Sequence, residues 1–237
     1  MEFLDYSKGL FGPQYTPRPE SESSVIVVPF GLELAVSWET GTSKAPEAIL
    51  RASHEVECFD ETLGFAPLDD VHVRTMTPFQ IPNEMQNALS LLSDKVSHIL
   101  DKNLGFPIIL GGEHTLTPGA IRPLVERYDK LVLLHFDAHG DLRDTYFGDP
   151  WSHACALRRC LDFPSVSLVS FGIRNLDRHE FNFWKQHPDR VQLHLASQHA
   201  QVNFENIRNY LMGKNVYITV DVDGFDSSLM PATGTPE

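Results

Sequence analysis

Short unbroken apolar runs alternate along the chain with stretches of helical periodicity. Leu131 to Leu134 is apolar without alternation, the pattern of a strand covered on both faces, and Ser24 to Phe30 (SVIVVPF), Phe106 to Leu110 and Val216 to Val220 are further apolar runs that predict strands. Val71 to Arg74 predicts a short strand, and Val166 to Gly172 and Arg190 to Leu195 predict two more. Between these runs the period changes. Pro46 sits at the first turn of a helix through Ala48, Ile49 and Ala52. Asn83 is placed to cap a helix whose apolar positions Met85, Ala88, Leu89, Leu92, Val96, Ile99 and Leu100 recur at spacings of three and four. Further helices are predicted near 118–128, over 176–186, and from an Asn203 cap through Phe204, Ile207 and Leu211 to Gly213. Strands alternating with helices imply a parallel α/β sheet with helices on both faces. Residues 1–23, rich in Pro, Ser and Glu, read as an extended arm. No repeat or linker divides the chain, so 1–237 reads as a single domain.

Composition narrows the function classes. With 42% hydrophobic and 22% charged residues, the sequence has the balance of a soluble globular domain. No apolar run approaches the ~20 residues that span a bilayer, and the first twenty residues lack the apolar core of a signal peptide. The three cysteines, Cys58, Cys155 and Cys160, show no C-x-x-C spacing; a reduced, cytoplasmic setting is the natural reading, with Cys155 and Cys160 as packing residues. A formal charge of −13 argues against nucleic acid and anionic membranes as partners, and would attract a small cationic substrate.

The candidate chemistry sits where three apolar runs end. Leu131–Phe136 is followed by Asp137, His139 and Asp141; Val216–Val220 by Asp221 and Asp223; Phe106–Leu110 by Gly111-Gly112-Glu113-His114. If these segments stay extended, side chains two residues apart project together from a strand end. Taken singly, each residue reads as a turn or cap residue. Together they gather carboxylates that resist burial unless something positive holds them. Two histidines and four aspartates suit a pair of divalent ions, and ligands of open parallel sheets bind beyond the carboxyl ends of the strands.

The motifs GGEHT (111–115), HFDAHGD (135–141), SHAC (152–155), DVDGFD (221–226) and PATGTPE (231–237) resemble those of the ureohydrolases, the family of arginase and agmatinase. Val28-Pro-Phe30 and 41–47 resemble its N-terminal part. The resemblance implies a three-layer, doubly wound, mainly parallel sheet, two Mn²⁺ per chain, and hydrolysis of a guanidino group to urea and an amine. It places His114, Asp137, Asp141 and Asp221 on one ion and Asp137, His139, Asp221 and Asp223 on the other. Oxygen-rich ligation favours Mn²⁺ over structural zinc, and a water between two such ions loses a proton near neutral pH and can attack the guanidinium carbon. His153 matches the family's loop histidine and is the candidate proton shuttle, with Asp141 also at the reacting centre. Glu113 and Asp226 are candidates to orient ligands, or are caps; Thr235, in the G-T-P turn, is a candidate hydrogen-bonding partner near the activated water. His135 reads as a satisfied core histidine. A homo-oligomer, trimer or hexamer, is implied by the resemblance alone.

Substrate choice rests on finer points. Arginases place a small polar residue two positions after D-x-H-x-D to bind the amino acid's carboxylate, and here that position is Arg143, a candidate substrate-binding residue. SHACALRR (152–159) and ECFDETLG (57–64) resemble agmatinases. Agmatine, giving putrescine and urea, is therefore the expected substrate, with aminopropylagmatine, arginine, guanidinobutyrate and formiminoglutamate as alternatives. Ser227 stands where the family has proline, implying a changed turn. The sequence ends inside the G-T-P-E loop, where relatives continue into a strand and helix carrying a glutamate that binds the guanidinium; an exposed sheet edge or apolar surface is expected. A metal-binding pseudoenzyme is thus a second class of reading, and a related-fold metal deacetylase a third, disfavoured by six filled ligand positions.

Overall fold

The computed structural model describes residues 1–14 and 24–235. The chain gathers into two compact units, residues 1–34 with 40–113, and residues 35–39 with 114–237.

The first unit holds a parallel sheet of order β2-β1-β3, from β1 (Ser24–Phe30), β2 (His72–Thr75) and β3 (Phe106–Gly111). The central strand β1 is buried from Ile26 to Phe30. Helices α1 (Ala45–Ser53) and α2 (Met85–Asp101) belong to this unit. The cap of α2 differs from the expected Asn83. Glu84 is the N-cap, and its carboxylate accepts from the N–H groups of Gln86 (3.2 Å) and Asn87 (3.1 Å). An acidic side chain one position later reaches the same orphan donors and meets the positive helix end.

The N-terminal arm also differs. Residues 1–14 form two 3-10 turns, Tyr6–Lys8 and Gly12–Gln14. Leu4, Tyr6, Leu10 and Phe11 pack against Val27, Leu50 and Val73. The polar composition of 1–23 hid these apolar side chains, whose burial outweighs it. The remainder of the expected arm, 15–23, lies outside the described residues.

The second unit runs α3 (Thr117–Arg127), β4 (Leu131–Phe136), α4 (Ala156–Leu161), β5 (Val166–Ile173), α5 (Arg178–Gln186), β6 (Val191–Leu195), α6 (Phe204–Leu211) and β7 (Asn215–Val220). Its sheet has order β6-β5-β4-β7 and is parallel throughout. Parallel sheets with helices on both sides are the doubly wound α/β arrangement the sequence implied. Leu131, Leu133, Leu157, Val166 and Leu168 lie at the centre of the core beside Cys160. Cys155 and Cys160 are both free and buried, Cys160 within this core, and burial pushes both thiols up, that of Cys155 to about 11. Among the α-helices and strands of the described residues, α4 alone escaped the sequence reading: six residues are too few to show a period.

Chain order in this sheet decides where a site can form. Strands β4, β5 and β6 step outward in one direction, and β7 then returns to the other side of β4. Such a reversal leaves a crevice beyond the carboxyl ends of the two strands that flank it. Strand β7 pairs only with β4 among the described residues, and Ile218 and Val220 are exposed. No helix among the described residues is long and apolar enough to cross a membrane.

Candidate metal centre

The six expected ligands all lie in the second unit, at this strand reversal. The local backbone is not the extended one expected of i, i+2 spacing. Strand β4 stops at Phe136, and Asp141 has φ of +51°, a left-handed turn uncommon for a side-chain-bearing residue. Asp223 lies in a 3-10 turn, Val222–Gly224, capped by the side chain of Asp221. The residues named from sequence converge, but through turns that re-aim each carboxylate. Room for one of those turns depends on Gly224, where a Cβ would come within 2.9 Å of the Asp137 nitrogen.

Four donors face one another in a first group. Nδ1 of His114 lies 3.2 Å from Asp137 Oδ2, 3.1 Å from Asp141 Oδ2 and 3.5 Å from Asp221 Oδ2. It is buried and makes a well-aligned hydrogen bond with none of them. The other ring nitrogen, Nε2, is held by Thr219 Oγ1 at 2.9 Å, which aims Nδ1 at the carboxylates. A second group joins His139 Nδ1 to Asp223 Oδ2 at 3.1 Å and Asp137 Oδ1 at 3.4 Å. Asp137 therefore sends one oxygen to each group. The second oxygen of Asp221, Oδ1, accepts the Asp223 N–H at 3.1 Å.

The donor set fits divalent ions. Neighbouring donors of an octahedral ion with bonds of about 2.1 Å stand roughly 3.0 Å apart, close to the separations in both groups. A buried imidazole nitrogen pointing at three carboxylate oxygens without hydrogen-bonding any is the geometry of donors arranged around a shared centre.

Electrostatics agree. Burial opposes charge on His114 and His139, but the surrounding carboxylates win: His114 is raised well above the usual imidazole range by Asp137, Asp141 and Asp221, and His139 to about 11 by Asp137 and Asp223. Burial likewise opposes ionisation of Asp137, yet its three histidine neighbours hold it well below the carboxylate range. Asp141 is pushed up to about 7 by burial and by the charge of Asp137, and Asp223 is raised by burial. The carboxylates thus demand positive charge, which the protein alone supplies as protons on two imidazoles.

The remaining expected residues fall into place differently. Thr235 Oγ1 donates to Asp223 Oδ2 at 2.7 Å, which joins it to the second group. His153 presents Nδ1 to the Ala35 carbonyl (2.7 Å) and Nε2 to Ser37 Oγ (2.9 Å), within the same unit. Glu113, in the first unit, accepts the Leu34 N–H through Oε1. Asp226 is a turn cap: it is exposed and accepts from the N–H and hydroxyl of Ser228. Arg143 does not stand free for a substrate. Its guanidinium pairs with Asp177 (3.6 Å) and Glu180 (3.7 Å) and lies over the Tyr146 ring, because the buried Glu180 carboxylate, which also accepts the Leu142 N–H, draws it in.

Sequence reasoning missed Arg174 and Glu180. Arg174 binds the carbonyls of Gly172, Asp223, Gly224 and Phe225, pinning the turn that carries Asp223 to the end of β5. Glu180 completes a capping box with Asp177 and braces the loop after Asp141. Only the capping box has a sequence signal, the D-x-x-E spacing ahead of α5.

A model of the arginase family matches residues 23–237. The chain is 30% identical to the N(1)-aminopropylagmatine ureohydrolase of Synechocystis sp. over 225 residues, covering 92% of this chain and 72% of that protein. It is 31% identical to the agmatinase of Bacillus cereus over 218 residues, 91% of this chain and 73% of the relative. Among solved structures, the agmatine ureohydrolase of Thermoplasma volcanium superposes with a TM-score of 0.74 at 30% identity, over 92% of this chain and 72% of that one.

Proposed function

The chain belongs to the arginase family, and from that membership we propose that it is a binuclear manganese ureohydrolase cleaving agmatine to putrescine and urea. One observation carries the reading: Asp137 shares its two oxygens between two donor groups, so a single carboxylate couples two ion sites. Relatives named agmatinase and N(1)-aminopropylagmatine ureohydrolase support a decarboxylated, cationic guanidine over arginine. So does the arginase carboxylate-binding position, where Arg143 is already paired with Asp177 and Glu180.

In this reading His114, Asp137, Asp141 and Asp221 hold one ion, and Asp137, His139 and Asp223 the other, with Asp221 beside both groups in sequence and space. When bound, the ion pair supplies Lewis-acid charge and lowers the pKa of water. The open side of the site is formed by His139 and Asp221, whose side chains are 26% and 29% exposed. A cationic guanidinium would approach there, drawn by negative charge. The departing amine needs a proton, and His153 is arranged to carry one. Its Nδ1–H donates to the Ala35 carbonyl, which leaves Nε2 as the nitrogen that gains and loses the proton, beside the Ser37 hydroxyl.

The test is urea release after Mn²⁺ loading. Agmatine should be cleaved with a higher kcat/KM than arginine, and a preference for arginine refutes the substrate reading. Loading itself has a pH signature. Without metal, His114 and His139 are held protonated at neutral pH because their pKa values are raised; as ligands they must be neutral. Mn²⁺ uptake at pH 7 should therefore release protons, and affinity should rise with pH. Titration calorimetry in buffers of different ionisation enthalpy reads the proton count; a value of zero contradicts ligation by these histidines.

A further inference from the structure

We infer that His135 is a positioning residue for the metal centre, acting through Asp137 in a buried Ser170–His135–Asp137 chain. The inference rests on the metal reading above. His135 and Ser170 are cross-strand neighbours in the β4–β5 register, both with no exposed surface. Nδ1 of His135 meets Ser170 Oγ at 2.9 Å, and Nε2 meets Asp137 Oδ2 at 2.9 Å. An ionised carboxylate only accepts, so Nε2 carries the hydrogen and donates; the neutral ring then accepts at Nδ1 from the Ser170 hydroxyl. Asp137 thereby selects the tautomer, and the Ser170 hydroxyl satisfies the Nδ1 lone pair that this tautomer leaves.

The importance of this contact lies in which oxygen it reaches. Asp137 Oδ2 is the oxygen that faces His114 Nδ1 at 3.2 Å. Asp137 Oδ1, the oxygen facing the second group, accepts the backbone N–H of His139 at 2.7 Å. Each oxygen has two lone-pair directions. One N–H occupies a direction on each oxygen, leaving the other for an ion. The two donors together fix the plane of the carboxylate that both groups share. One of them is backbone and cannot be varied; the other is His135. Although His135 lies close enough to His114 and Asp137 to count as a third donor, both of its nitrogens are engaged.

Mn²⁺ titration of metal-free protein, read by electron paramagnetic resonance of free Mn²⁺, separates the possibilities in His135→Leu, His135→Gln and Ser170→Ala, with circular dichroism and the metal-free thermal midpoint as the fold control. Loss of an outer hydrogen-bonding partner typically weakens metal binding by about 10–100-fold. His135→Leu should show a loss of that size for both ions, because Asp137 serves both. His135→Gln, whose amide can still donate to Oδ2, should bind within a few-fold of wild type, and Ser170→Ala should fall between. A merely structural role would lower the metal-free midpoint and leave the affinities of the folded protein unchanged, which overturns the inference. Equal loss in His135→Gln and His135→Leu, with the fold intact, also overturns it, since an imidazole would then be needed as a ligand. Failure of the wild-type protein to bind Mn²⁺ overturns the metal reading itself and is recognised before any variant is compared.

Discussion

Asp137→Asn should cost the protein both ions, while His139→Asn should cost one. Among the described residues, Asp137 faces both donor groups, through Oδ2 to His114 and through Oδ1 to His139. An asparagine keeps one acceptor and turns the other position into an N–H₂ donor. Whichever way the amide turns, one group meets a donor where it needs a lone pair, and the single negative charge that the two groups share is lost. The affinity loss should exceed the ~100-fold upper end seen for outer hydrogen-bonding partners. His139 reaches only the second group and is partly exposed, so its loss should spare the ion at His114. Metal analysis after Mn²⁺ loading and desalting should find two ions in wild type, one in His139→Asn and fewer than one in Asp137→Asn. Equal loss in the two variants would falsify the shared role of Asp137.

His153→Ala should leave metal content unchanged and slow turnover by roughly 10²–10⁴-fold, the usual worth of a general acid or base. Its ring stands edge-on to Tyr146, and both of its nitrogens are engaged by partners outside the ligand set, the Ala35 carbonyl and Ser37 Oγ. Metal retention follows from that placement. The loss should appear in kcat with KM little changed, because proton delivery belongs to the transition state. Steady-state urea release alongside metal analysis decides it. Full activity in the variant removes the shuttle role, whereas loss of an ion would mean that the 151–155 loop supplies a ligand.

The identities of the six ligand candidates, the strands that present them and the parallel sheet were legible because each depends on local pattern. Apolar runs that lack alternation announce buried strands, and a carboxylate or imidazole is a possible ligand wherever it stands. Their convergence was legible for the wrong geometric reason. Extended i, i+2 spacing was expected to align Asp137, His139 and Asp141, yet Asp141 sits in a left-handed turn and Asp223 in a 3-10 turn. Direction is set by contacts from distant segments, such as the Arg174 hold on the carbonyls of 223–225, and no local pattern encodes them.

The same division runs through single residues. That His135 would be buried and satisfied could be read from its place in a strand; that one partner is the shared carboxylate Asp137, and that Ser170 engages its other nitrogen, depends on the tertiary structure, in the second case on the pairing of β4 with β5. Arg143 looked available to a substrate until Glu180, distant in sequence and buried, was seen beside it. Leu4, Leu10 and Phe11 were outweighed by the polar residues around them, and their burial against Val27, Leu50 and Val73 became visible only with the sheet assembled. Local pattern specifies which chemical groups are present and which strands carry them. Packing between distant segments selects which lone pairs face each other, because hydrogen-bond direction depends on separations of tenths of an ångström between residues far apart in the chain.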